Sequence, residues 1–161
     1  KDRKYTLLKQ GSETFIPEDN SLDFVFTSPP YLGHEMYGDE EEQSFKKFPV
    51  QEQWRNGFLL QTIKNAYHGL KPGKCAAFNV ANVKSYKTFE EDTYDCMVEA
   101  GFKDMKIWWL SLSTQQGTSA KNTLEEGETI VKQKNNYIGR FENARPNVPG
   151  RKYEPIFIGT K

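Results

Sequence analysis

The feature that most constrains this chain is a short apolar run that ends in two prolines: Leu22-Asp23-Phe24-Val25-Phe26-Thr27-Ser28-Pro29-Pro30-Tyr31. Phe24, Val25 and Phe26 read as a buried strand of the kind parallel sheets use, because such strands are covered on both faces. Each proline then lacks a backbone N–H and has φ fixed at about −65°. The residue before a proline is also pushed out of the helical region. Ser28-Pro29-Pro30 is therefore predicted to leave the strand as a stiff, extended loop whose carbonyls no ladder or helix can use. Open α/β sheets hold their ligands at the carboxyl ends of strands, where such loops sit. A bare Pro-Pro pair fits an ordinary strand-ending turn; Thr27-Ser28 before it and Tyr31 after it point to a site.

The surrounding pattern alternates strands and helices. Tyr5 to Lys9 reads as a first strand, closed by Gly11-Ser12. Leu32 to Glu42 has no period and reads as a loop, with the acidic run Asp39 to Glu42 at its end. Trp54, Phe58, Leu59, Ile63, Ala66, Tyr67 and Leu70 recur at helical spacing, predicting a helix over Glu52 to Leu70 that stops at Lys71-Pro72-Gly73. Cys75 to Val80 is a second apolar strand. Thr88-Phe89-Glu90-Glu91 matches a capping box and predicts a helix from Phe89 to Ala100, closed by Gly101. Phe102 to Leu112, with Trp108-Trp109 on opposite faces, is strongly β-prone. Ser113 to Lys152 is long, polar and aperiodic, and Glu154 to Gly159 is a closing strand. This order predicts an α/β fold with a mainly parallel sheet. With no helix between them, the last two strands can pair antiparallel, which needs no crossover.

At 161 residues the chain is one domain's worth. Its 22 basic and 22 acidic residues cancel, which argues against a simple charge-driven DNA binder and shifts attention to local clusters. Cys75 and Cys96 match no metal spacing and read as reduced thiols of a soluble, cytoplasmic protein, with no signal peptide or long apolar run in the sequence.

Thr27-Ser28-Pro29-Pro30-Tyr31 after a buried strand resembles the (Ser/Asp/Asn)-Pro-Pro-(Tyr/Phe) motif of DNA amino-methyltransferases. The turn at Leu70 to Gly73 and the segment Tyr153 to Ile158 resemble that family's later strand entry and closing strand, so the likeness covers most of the chain. The resemblance implies a Rossmann-like methyltransferase sheet and S-adenosylmethionine as methyl donor. The substrate would be the exocyclic amino group of a base in DNA, cytosine N4 or adenine N6, with Ser28 tilting the choice towards cytosine. It places Ser28, Pro29, Pro30 and Tyr31 in the catalytic loop, and Gly11, Ser12 and Thr27 near the cofactor.

The chemistry is consistent with such a loop. An exocyclic amino nitrogen is a poor nucleophile because its lone pair is delocalised into the ring. Acceptors that hold its hydrogens favour a tetrahedral nitrogen, and positioning supplies much of what such a transfer needs. Tyr31 offers an aromatic face for a base turned out of the duplex, an interaction of roughly 1–3 kcal/mol. The family also carries a Gly-rich turn for the cofactor, yet no Gly-x-Gly occurs here and Gly159 is isolated. The first strands of the family's sheet have no counterpart either. The expectation is therefore the catalytic half of a larger domain, with the cofactor-binding part upstream of Lys1.

The segment Thr129 to Lys152 gathers Lys132, Lys134, Arg140, Arg145, Arg151 and Lys152 with Tyr137 and Phe141 against the lone acid Glu142. Basic residues interleaved with aromatics suit nucleic-acid backbone contact, giving DNA as the expected partner; the competing reading is a solvated loop that balances the acidic run. Asn79 and Asn82 fit either a pocket wall or a strand-ending turn. His34-Glu35 is too closely spaced for a good chelate and reads as exposed loop, and no metal site is expected. The same motif shape also serves methyltransferases acting on RNA bases or on protein glutamine, and a nucleic-acid-binding module without catalysis stays open.

Overall fold

The computed structural model describes residues 5–33, 40–112, 139–149 and 151–161. Its sheet consists of β1 (Leu22–Thr27), β2 (Leu70–Asn79), β3 (Lys103–Leu112) and β4 (Lys152–Thr160), in the spatial order β1-β2-β4-β3. β1 and β2 are parallel, and β4 lies antiparallel between β2 and β3. Three strands thus share one direction and the final strand is reversed, the antiparallel pairing that the sequence allowed for the last two strands.

The helices are α1 (Ser44–Lys47), α2 (Gln51–Trp54), α3 (Leu60–Gly69) and α4 (Phe89–Ala100). The expected helix from Glu52 is interrupted by a π-helical turn, Arg55–Leu59, between α2 and α3. Within it the Phe48 ring occupies the space that a β-carbon on Gly57 would need, so this close approach requires glycine. The Pro72-Gly73 turn is also displaced. It forms a bulge inside β2, between the Leu22–Leu70 and Phe24–Cys75 pairs, with Gly73 at φ +76°.

The core lies on one face of the sheet. Trp54, Phe58, Leu59 and Ile63 from the helical arm, Phe89, Cys96 and Met97 from α4, and Ala76, Phe78 and Phe157 from the strands form one buried cluster. Trp109 packs against it, whereas Trp108 points away and is 64 % exposed. Strand alternation turns Phe24, Phe26, Cys75, Ala77, Ile156 and Ile158 to the other face with Trp108, where they line an apolar groove of about 380 Å³. No described element covers that groove.

One expected element does not form. Tyr5 to Lys9 joins no strand among the described residues, with Tyr5 and Leu7 more than four-fifths exposed. β propensity reflects packing against neighbouring strands, and no described strand lies beside this segment. No helix among the described residues is long and apolar enough to cross a membrane.

Candidate active site at the Thr-Ser-Pro-Pro-Tyr loop

The carboxyl ends of β1 and β2 lie side by side, with Thr27 opposite Phe78. Ser28 to Tyr31 leaves the first strand and Val80 to Thr88 leaves the second. Pro29 is buried, Pro30 and Tyr31 are half-buried, and Ser28 is exposed. The loop is fastened at its far end. The Tyr31 hydroxyl accepts a hydrogen bond from the Ala81 N–H at 3.0 Å, and its ring meets Phe89 edge-on at 5.1 Å. A stiff loop held at both ends thus presents Ser28 to solvent.

The loop after β2 is fixed just as firmly. Val80 N–H and the Asn79 side chain both donate to the Pro155 carbonyl. The Asn82 side-chain oxygen accepts from the Glu90 N–H at 2.8 Å, and Glu90 Oε1 accepts from the Asn82 N–H at 3.1 Å. Asn82, rather than Thr88, therefore satisfies a free donor in the first turn of α4; the Thr88 hydroxyl turns to Asp92 Oδ2 instead. Both asparagines thus serve as strand-ending turn residues.

Glu90 is almost wholly buried. Arg145 Nη2 lies 2.8 and 2.9 Å from its two carboxylate oxygens. Burial pushes the Glu90 carboxyl above its ordinary range, against the opposing pull of Arg145 and the Asn82 N–H. The remaining Arg145 nitrogens donate to the Tyr153 carbonyl and to Glu142, and its guanidinium lies over the Trp109 ring. Beneath the loop, the fully buried Tyr86 stacks on Phe89. Its hydroxyl has no partner of good hydrogen-bond geometry among the described residues. Burial, reinforced by the negative charge of Asp92, raises that hydroxyl well above the usual phenol range.

Gly11 and Ser12 turn onto α3. The Ser12 hydroxyl is 2.9 Å from Thr62 Oγ1, and Asn65 donates to the Ser12 and Glu13 carbonyls. The buried Glu13 is paired with Lys47 at 3.0 Å, and its carboxylate fills the space beside Gly11. Thr27 is half-buried at the end of β1. Ser12 is thus bonded to α3, and the Glu13 carboxylate occupies the space beside Gly11.

In the basic segment, the Arg140 N–H donates to Glu91, and its guanidinium pairs with Asp95 at 2.7 Å. Arg140 and Arg145 thus both direct charge onto α4, while Arg151 and Lys152 are exposed. Lys132 and Lys134, like His34 and Glu35, lie outside the described residues. Among the described residues, no group of three His, Cys, Asp or Glu side chains is placed to hold a metal ion.

The sequence does not reveal the Glu13–Lys47 pair or the joining of Asn82, Glu90 and Arg145. Glu13 lies in a polar stretch without periodicity, and Arg145 lies 55 residues from Glu90 along the chain. The one visible signal is an acid in the first turn of α4, which the capping-box pattern already accounts for.

No protein-family model and no characterised protein sequence matches this chain. Among solved structures, it is similar to a protein of Thermus thermophilus described provisionally as a DNA modification methylase. That match has 18 % identity and a TM-score of 0.47, over 94 % of this chain and 50 % of that one. It is also similar to an S-adenosylmethionine-dependent methyltransferase of Thermotoga maritima, described as a possible histamine N-methyltransferase. There the identity is 15 % and the TM-score 0.45, over 96 % of this chain and 62 % of that one. The chain thus spans half the length of the first and less than two thirds of the second. Likenesses this distant assign neither family nor function.

Proposed function

We propose that this chain is the base-holding, catalytic portion of an S-adenosylmethionine-dependent methyltransferase that modifies an exocyclic amino group in DNA, cytosine N4 or adenine N6. The observation that carries the reading is the Ser28-Pro29-Pro30-Tyr31 loop, standing rigid at the carboxyl end of a parallel strand with Ser28 presented outward. In this reading the Ser28 hydroxyl and the Pro29 carbonyl accept the two amino hydrogens, and Tyr31 stacks on the extruded base. The nitrogen is drawn towards a tetrahedral geometry, and its proton leaves after the methyl group is transferred. Arg151 and Lys152, with Lys132 and Lys134, meet the phosphate backbone, whereas Arg140 and Arg145 are engaged by Glu91, Asp95 and Glu90 of α4.

The glycine-rich, methyl-donor-binding part of the domain is not among these residues. The bare apolar sheet face and the open edge of β1 among the described residues support that division, since parallel sheets are ordinarily covered on both faces. Radiolabelled methyl transfer to DNA, RNA and protein in parallel, with the full-length protein, tests the assignment. Label should enter duplex DNA, and Ser28→Ala or Tyr31→Ala should lower turnover by about 10²-fold with the fold intact. Wild-type turnover by Tyr31→Ala, or label entering only RNA or protein, would sink it. Calorimetry on the 161-residue chain alone should find weak cofactor binding; tight binding would refute the division.

A further inference from the structure

We propose that Asn82, Glu90 and Arg145 are positioning residues for the candidate transfer, acting on the Pro-Pro loop through the Ala81–Tyr31 hydrogen bond. The proposal rests on the function proposed above, but its geometry stands independently. The series begins at Arg145, in the segment before β4, whose nitrogens are engaged by Glu90, the Tyr153 carbonyl and Glu142. Such a guanidinium has little freedom to move. Glu90 passes that constraint to Asn82 through two reciprocal hydrogen bonds, at 2.8 and 3.1 Å. Asn82 is adjacent to Ala81, whose N–H bonds the Tyr31 hydroxyl at 3.0 Å. A second route runs through Phe89, next to Glu90, whose ring meets Tyr31 edge-on.

The arrangement has a chemical consequence. Tyr31 directly follows Pro30, and the prolines leave little backbone slack between it and Ser28. A shift of Ala81 therefore moves the loop as a unit. Methyl transfer depends on alignment, and a misplacement of about 1 Å from a distant change can cost on the order of 10²-fold in rate. The residues in the series do not touch the reacting atoms; they fix where the loop stands.

The test is a mutant cycle in the full-length protein. Arg145→Met and Tyr31→Phe should each lower kcat about tenfold with KM within about twofold, because alignment rather than binding is lost. Combined, they should again lower kcat about tenfold rather than a hundredfold, because both act through one hydrogen bond. Arg145→Lys, which keeps a cation against Glu90, should recover most of the loss. Glu90→Gln provides a milder break should Arg145→Met fold poorly. Losses that multiply in the double variant, or that fall on KM alone, would overturn the proposal. A fluorine NMR signal from 3-fluorotyrosine at position 31 supplies a readout that needs no turnover. It should shift in Arg145→Met and Glu90→Gln while circular dichroism stays native, and an unmoved signal would also overturn the proposal. Should the wild type methylate nothing, the function proposed above falls, and the fluorine signal still decides whether the residues are linked.

Discussion

Replacing Gly159 by alanine separates two explanations of a glycine in a sequence otherwise short of cofactor-type glycines. Gly159 lies in β4 opposite Ala76, against Met97 of α4. A β-carbon there would lie 2.8 Å from Phe102 Cβ, 2.8 Å from Met105 Sδ and 3.1 Å from Met97 Cε. The two methionine contacts are with flexible side-chain ends that can swing away. Phe102 Cβ is fixed to the backbone just after Gly101, which holds φ +108°. Overpacking of this kind costs about 1–3 kcal/mol. Alanine recovers roughly 0.5–1 kcal/mol through the smaller entropy of its unfolded chain. The net expectation is a loss of about 1.5 kcal/mol, or roughly 3–6 °C in Tm for a chain of this size. Thermal and urea unfolding followed by circular dichroism would measure it. A gain in stability would refute the packing argument, because the entropy term would then outweigh the overpacking.

Two further predictions rest on buried ionisable groups. Arg145→Met leaves Glu90 without its counter-charge, a loss of roughly 3 kcal/mol, at the low end for a broken buried pair because Arg145 keeps part of its surface in water. Burial already raises the Glu90 carboxyl in the folded state. Removing the cation raises it further, so the fold binds a proton that the unfolded chain releases. Stability of the variant should therefore decline as pH rises above the ordinary carboxylate range; a deficit equal at pH 5 and pH 8 in urea titrations would contradict this. Burial also pushes the Cys96 thiol up to about 12. A thiol reagent at pH 8 should modify the half-buried Cys75 in the native protein and reach Cys96 only after unfolding; rapid native labelling of both would count against the buried core.

How much of the fold is legible from residues differs by element. α4 is readable to its ends because the Thr88 to Glu91 pattern marks its start and Gly101 its stop, although Asn82 rather than Thr88 supplies the cap. The antiparallel pairing of the last two strands is open to a sequence that shows no helical period between them. Tyr5 to Lys9 has the composition of a strand but no described partner to pair with, and composition alone does not supply one. The π-helical turn is hidden because it depends on Phe48 lying against Gly57, a contact that periodicity does not encode.

The sequence by itself determined the stiff, strand-ending loop at Thr27 to Tyr31, because proline geometry and an apolar run act locally. It also located the basic segment, but not what its charges do. Only the tertiary structure decided that Arg145 turns inward to Glu90, that Asn82 holds the start of α4, and that Tyr31 is tied through its hydroxyl to Ala81. It likewise decided that one apolar face of the sheet stays bare of any described element. Local chemistry is written residue by residue, whereas these contacts join positions far apart in the chain, and only the packed sheet and helices bring them within hydrogen-bonding distance.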